Sequence, residues 1–258
     1  MIPFNVSKEK ISDNIQLVII DIEDLSENVV KVLDSNLVSI CEGSSGSDLQ
    51  TIKKYVSNLY ATKNDDWIKG ATAEFFIHLY IKLSGYKQEC LFLNLEEGSI
   101  KKGFDGYYSH NEVEWIMESK SGDVTSVGGT HSEKVILAMN DLEKKVAGKD
   151  KAKGKKIPNN PWRNAYSHAS MYDVGTSDKI RKNIKRLSDD FINGKFYGIE
   201  QFNTMPCGTI FLNGVWNPPT HQEILDSIKQ ISSKLKGKNV KVICVTQKTV
   251  KQFVDYIG

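Results

Sequence analysis

Apolar residues along this chain recur at two different spacings, and the switches between them outline a fold. Leu17 to Ile20, inside the run Gln16 to Ile20, are uninterrupted branched apolar residues, which predicts a strand; Leu37 to Cys41 predicts a second short one. Between them Ser26 to Ser35 is expected to form a short helix. Glu42 to Asp48 is rich in the Gly and Ser that favour turns, so it marks the best domain boundary: an accessory N-terminal module over 1–48 and a main domain over 49–258. A helix is expected from Leu49 to Tyr60. Next, Asp65 or Asp66 is placed to cap a helix whose apolar positions Ile68, Ala71, Phe75, Leu79 and Leu83 keep helical spacing up to Gly85.

Beyond Gly85 the pattern turns to strands. Glu89 to Leu95 and Gly103 to Tyr108 are expected strands, and Ser109 to Glu112 has the composition of a hairpin loop. Val113 to Lys120 then reads as a strand with two faces: Glu114, Ile116, Glu118 and Lys120 on one, and Val113, Trp115, Met117 and Ser119 on the other, core-directed side. Helices follow over Ser132 to Val146, Asn164 to Met171, Asp178 to Ile192 and Thr220 to Lys236, with strands at Cys207 to Leu212 and Val240 to Thr246. Ala147 to Pro158 carries too much charge to pack and is expected to be an exposed loop. No internal repeat is present. Strands alternating with amphipathic helices predict an α/β protein, a mixed central sheet flanked by helices.

Composition narrows the class. The 258 residues are 40% hydrophobic and 26% charged, the balance of a globular chain long enough for one full α/β domain. No apolar run reaches the roughly 20 residues of a bilayer span, and Met1 to Ile11 lacks the pattern of a secretion signal, so a soluble cytoplasmic protein is expected. The four cysteines are far apart with no Cys-x-x-Cys pair, which argues for reduced thiols and against a zinc ribbon. Net charge is only +2, yet it is unevenly spread. Residues 1–50 hold nine acids and three lysines, a balance of −6; residues 144–186 hold thirteen bases and three acids, a balance of +10. That segregation makes a nucleic acid the first partner to consider, and it makes the acidic front a candidate contact for a partner protein.

The candidate chemistry lies in four polar residues, Glu74, Asp105, Glu118 and Lys120. Glu118 and Lys120 are two apart on a strand and project from one face. Asp105 sits on the neighbouring hairpin strand, within reach of Glu118. Two carboxylates so close repel unless a cation lies between them, and a hard divalent ion on oxygen ligands is the natural solution. Such a set suits phosphodiester hydrolysis, with the lysine stabilising the charged transition state. Glu74 borders the apolar stripe of its helix through Phe75; it either points towards the sheet to complete the shell or is an i,i+4 neighbour of His78 on a half-exposed face.

Gly103-Phe104-Asp105-Gly106, followed thirteen positions after the aspartate by Glu118-Ser119-Lys120, resembles the signature of the PD-(D/E)xK, restriction-endonuclease-like nuclease superfamily. The resemblance covers about residues 65–146. It implies that Asp105 and Glu118 bind Mg²⁺, with Mn²⁺ able to substitute, that Lys120 is the catalytic lysine, and that Glu74 assists directly or through water. One departure is Phe104, which stands where the family signature has a variable proline. The wider layout, a mixed N-terminal module, helix, strand, Gly-Phe-Asp-Gly, hairpin and Trp-x-x-Glu-x-Lys, resembles the nuclease subunit of two-gene bacterial antiphage defence systems of the Hachiman type. That likeness implies endonucleolytic DNA cleavage beside a separate helicase partner; many such folds act as dimers, so a homo-oligomer stays open. An RNA-directed nuclease and a non-catalytic module on the same fold are the alternatives.

For nucleic-acid contact the expected residues are Lys151, Lys153, Lys155 and Lys156 in the loop, and Lys182, Lys185 and Arg186 on one face of the later helix. The competing reading of the loop is simple solubility. Trp162, Tyr166 and His168 are placed either to stack on bases or, as packing anchors, inside the fold. His110 and His131, with no metal-ligand spacing, are expected at the surface. No Gly-x-x-x-x-Gly-Lys-Ser/Thr loop and no Gly-x-Ser-x-Gly elbow occurs, which excludes the common nucleotide-hydrolase and serine-hydrolase arrangements.

Overall fold

The structure is a computed structural model that describes residues 2–94, 99–100, 103–151 and 157–258. In chain order these form β1 (Asn5–Lys10), β2 (Ile15–Ile22), α1 (Glu27–Glu42), α2 (Leu49–Ala61), α3 (Asp65–Leu83), β3 (Lys87–Gln88), β4 (Leu93–Asn94), β5 (Ser99–Ile100), β6 (Gly106–His110) and β7 (Val113–Asp123). They continue with α4 (His131–Val146), α5 (Pro161–Ala169), α6 (Asp178–Ile192), β8 (Asn203–Phe211), α7 (His221–Ile231), β9 (Val240–Gln247) and α8 (Lys251–Ile257).

Seven of the described strands make one mixed sheet in the order β1-β2-β9-β8-β7-β6-β3. Its centre, β2, β9, β8 and β7, is parallel, and β1, β6 and β3 close the edges antiparallel. Parallel strands are buried on both faces, and the side chains obey this. Val18, Ile20, Met117, Cys207 and Val245 pack under α1, α2, α3 and α8, while Leu17, Ile19, Val242 and Cys244 pack under α4 and α7. Ile116 and Tyr107 continue that second face under α4, α5 and α6. The expected α/β sheet flanked by helices is therefore the observed architecture. All four cysteines are buried and free, and among the described residues no helix is long and apolar enough to cross a membrane. The expected division at residue 48 falls in the α1–α2 connector; β2, on its N-terminal side, pairs with β9 along their whole length.

Several expectations are corrected. Leu37 to Cys41 is not a strand but the last turns of α1. Its apolar residues continue the helical set Val29, Leu33, Leu37, Ile40 and Cys41, all buried, and Asn36 and Ser39 bond back to the Val32 and Asn36 carbonyls within the helix. Asn64, not Asp65 or Asp66, caps α3, its side chain accepting from the Trp67 N–H at 2.9 Å. Glu89 to Leu95 is no continuous strand. The ladder with β6 ends at Gln88, with one further backbone bond from the Glu89 N–H to the Tyr107 carbonyl oxygen, and the buried Glu89 carboxylate accepts from the Ser109 and Thr176 hydroxyls. The Thr220 helix stops at Ile231 and tightens into a 3₁₀ turn, and β7 is core-directed on both faces rather than one. The hairpin loop expected over Ser109 to Glu112 is narrower: Ser109 and His110 pair with Glu114 and Val113, and Asn111 and Glu112, with φ of 49° and 62°, form the turn.

Glycine matters where helix and sheet approach closely. A Cβ on Gly208 of β8 would lie 2.9 Å from the His131 carbonyl oxygen and 3.1 Å from Lys134 Cβ, so α4 rests against bare backbone there.

Candidate active site

β6 and β7 form the hairpin that brings the expected residues together. Gly106 pairs with Met117, so Asp105, one residue before β6, comes beside Glu118. Asp105 Oδ2 accepts from the Ser119 backbone N–H at 2.8 Å, which ties the loop carboxylate to the strand that carries Glu118 and Lys120. Strand alternation puts those two side chains on the Ile116 face, towards α4. Glu118 is only 2% exposed there.

Helix α4 completes the site with two residues that the sequence reading missed. Lys120 Nζ lies 3.0 Å from Glu118 Oε1 and 2.8 Å from Asp141 Oδ2; Lys145 Nζ lies 2.5 Å from Glu118 Oε2 and donates to the Gly103 carbonyl oxygen as well. The result is a chain of alternating charge, Asp141, Lys120, Glu118, Lys145, with Asp105 beside it. Asp141 and Lys145 are four apart, so one face of α4 delivers both. That spacing, on the helix directly after the Glu-x-Lys strand, was the signal available in the sequence.

Burial, reinforced by the Asp105 carboxylate, pushes the Glu118 carboxyl up to about 7 against the pull of Lys145 and Lys120. Burial works against the Lys120 and Lys145 ammoniums too, but Glu118 and Asp105 outweigh it and raise both, so both lysines are charged. Desolvation also opposes the Asp141 carboxylate, yet its bond to Lys120 holds it below the ordinary value. Two carboxylates brought side by side, Asp105 and Glu118, are oxygen donors of the kind that fit a hard divalent ion. Among the described residues no group of three or more His, Cys, Asp or Glu is arranged to hold a metal, so the remaining ligands would be water and phosphate oxygens, the usual habit of Mg²⁺.

Glu74 is buried on α3, and its Oε1 lies 3.1 Å from His78 Nε2, whose ring also bonds the Tyr108 hydroxyl through Nδ1. The i,i+4 pairing with His78 is thus present, on a buried rather than half-exposed face. Lys69, five residues earlier, bridges to Asp123 at the end of β7, so Glu74 lies between these two anchors of α3 on the hairpin.

Of the expected nucleic-acid contacts, Lys153, Lys155 and Lys156 lie outside the described residues. Lys151 and Lys182 are exposed. Lys185 and Arg186 pair with Asp189 and Asp190 one turn on, and Arg186 also donates to the Tyr197 hydroxyl. Trp162 is a packing anchor, 1% exposed against Phe104 and Phe202, and His168 Nδ1 accepts from the Leu91 N–H inside the core. His110 is exposed as expected, against the Tyr86 ring. His131 is not a surface residue: it is buried at the start of α4, its Nε2 donating to the Val245 carbonyl oxygen at 3.1 Å.

No protein-family model matches the chain, and no curated protein matches it.

Proposed function

We propose that this chain is a metal-dependent nuclease that hydrolyses DNA phosphodiester bonds internally, using Mg²⁺ or Mn²⁺. One observation carries the reading: a loop carboxylate, Asp105, fastened to the backbone beside a buried Glu118 that shares its face with a charged lysine, Lys120. When bound, a divalent ion supplies Lewis acidity towards the scissile phosphoryl group and the attacking water. Asp105 and Glu118 hold that ion. Lys120, protonated and steered by Asp141, is placed to stabilise the negative charge that grows on the phosphoryl oxygens. Glu74, paired with His78 on α3, is assigned its assisting role, directly or through water, on the sequence likeness. Lys151, Lys182 and the lysines between 152 and 156 supply phosphate contacts on the duplex, and the antiphage role beside a helicase partner rests on the sequence likeness alone.

The test is incubation of plasmid and linear DNA with Mg²⁺, with Mn²⁺ and with EDTA. Wild-type protein is expected to cut in either metal and not in EDTA. Asp105→Asn, Glu118→Gln and Lys120→Met, which keep side-chain shape in a packed site, are each expected to lose about 100-fold or more in rate, with unchanged circular dichroism. Full activity in any variant removes that residue from the site; no cleavage by the wild type overturns the reading, and cleavage of RNA alone changes the substrate.

A further inference from the structure

The bond pattern at Glu118 has a consequence beyond cleavage, and it rests on the reading of Asp105 and Glu118 as metal ligands. Both Glu118 oxygens are already taken by ammonium groups, Oε1 by Lys120 and Oε2 by Lys145. The two lysines are not equivalent. Lys120 has a second acid, Asp141, at 2.8 Å, and keeps a charged partner if Glu118 is withdrawn. Lys145 has Glu118 and, as its second described acceptor, the neutral Gly103 carbonyl.

Charge decides which cation yields. Among the buried and half-buried groups, Asp105, Glu118 and Asp141 against Lys120 and Lys145 leave one negative charge; Lys144, 3.5 Å from Asp141, is exposed and screened by solvent. A divalent ion entering beside both lysines turns that into a net positive charge in a site where Glu118 is buried, where like charges are least screened. With the Lys145 ammonium withdrawn, the same ion is balanced. Lys145 also sits in the last turn of α4, leading to the basic loop, and a lysine ammonium on its flexible stem is able to swing to a phosphate.

We propose that Lys145 is the resident counter-cation of this site: its ammonium holds the Glu118 oxygen that the divalent ion takes, so that metal uptake and the release of Lys145 are one exchange. The released ammonium then finds its acceptor on the DNA phosphate. Without DNA the lysine restrains metal loading, which couples loading to substrate.

Isothermal titration of DNA-free protein with Mn²⁺ and Mg²⁺ tests this. Lys145→Met and Lys145→Gln are expected to bind either ion at least about tenfold more tightly than wild type, the effect of removing a like charge in contact with the ligand. Lys149→Gln, which removes the same charge from an exposed position one turn on, should stay within about twofold. In the wild type, amine-selective acylation read by mass spectrometry should find Lys145 protected without metal and reactive once Mn²⁺ is added, with Lys120 protected throughout; this arm stands even if a variant misfolds. Equal or weaker metal binding by the Lys145 variants, or acylation of Lys145 indifferent to Mn²⁺, overturns the exchange. Cleavage with unchanged metal affinity overturns the exchange alone, tighter variant binding without any cleavage overturns the nuclease reading alone, and no metal binding by any of the proteins overturns both.

Discussion

His131 shows how much one buried side chain sets. Its ring packs between α4 and β9, donates to a backbone carbonyl, and is pushed down to about 4, chiefly by burial. A basic group with a lowered folded value binds fewer protons folded than unfolded between about 4 and 6.5, so stability rises with pH across that window and is lost as pH falls through it. The expected cost is about 2 kcal/mol between about pH 7 and about pH 5. Urea denaturation at the two pH values checks it: the wild-type midpoint should fall, and His131→Asn should remove most of that difference. An equal fall in the variant refutes the assignment. This burial was not legible beforehand, because a lone histidine after Gly128-Gly129-Thr130 has no spacing that distinguishes core from surface. By contrast, Asp105, Glu118 and Lys120 were legible, since the expected hairpin and strand alternation bring them together. Lys145 was hidden for a different reason: its role depends on the crossing of α4 over β7, which no local pattern encodes.

At the scale of elements, α4 is the part whose seat matters most, because it presents Asp141 and Lys145 to the strand. Gly208 is what lets it sit so close. Gly208→Ala places a methyl against the His131 carbonyl oxygen, which cannot give way cheaply. We expect a loss of about 1–3 kcal/mol by chemical denaturation, together with slower DNA cleavage as α4 is pushed off the sheet. Wild-type stability in this variant would mean that α4 is not seated as described. The elements read correctly from sequence, α2, α6 and β9 among them, are those whose apolar spacing has one interpretation. α1 was cut short because Leu37 to Cys41 satisfies a buried strand as well as a helix, and only the continuation of the face from Val29 decides between them. β1 and α8 were missed for the opposite reason: β1 is largely exposed and charged, and α8 spans only seven residues.

Across the whole molecule, the uneven charge has two origins. Part of the acidic front is spent within the fold: Asp34 pairs with Lys53, Asp24 with Lys248, and Asp21 with His221. Glu9, Asp13 and Glu23 are exposed, Asp13 with Lys10 as its local ion-pair partner. The basic segment is likewise divided between ion pairs on α6 and the exposed Lys151 and Lys182. The layered α/β arrangement was legible from the alternation of strands and helices, whereas the joining of β2 to β9, at opposite ends of the chain, was not.

The enclosure of α3 sets the order in which the molecule can come apart. Every residue from Ala71 to Ile81 is buried, between the sheet on one side and neighbouring helices on others. Such a helix has no exposed face from which to fray, so the amides of its middle should exchange with deuterium only through global opening, later than those of α6 or α7. Native-state exchange in low urea reads this directly, and earlier exchange at residues 73–81 than in α7 would refute it. Glu74 is carried by that enclosed segment, whereas Lys145 sits in the last turn of its helix, so the surroundings of the two should differ in how readily they open.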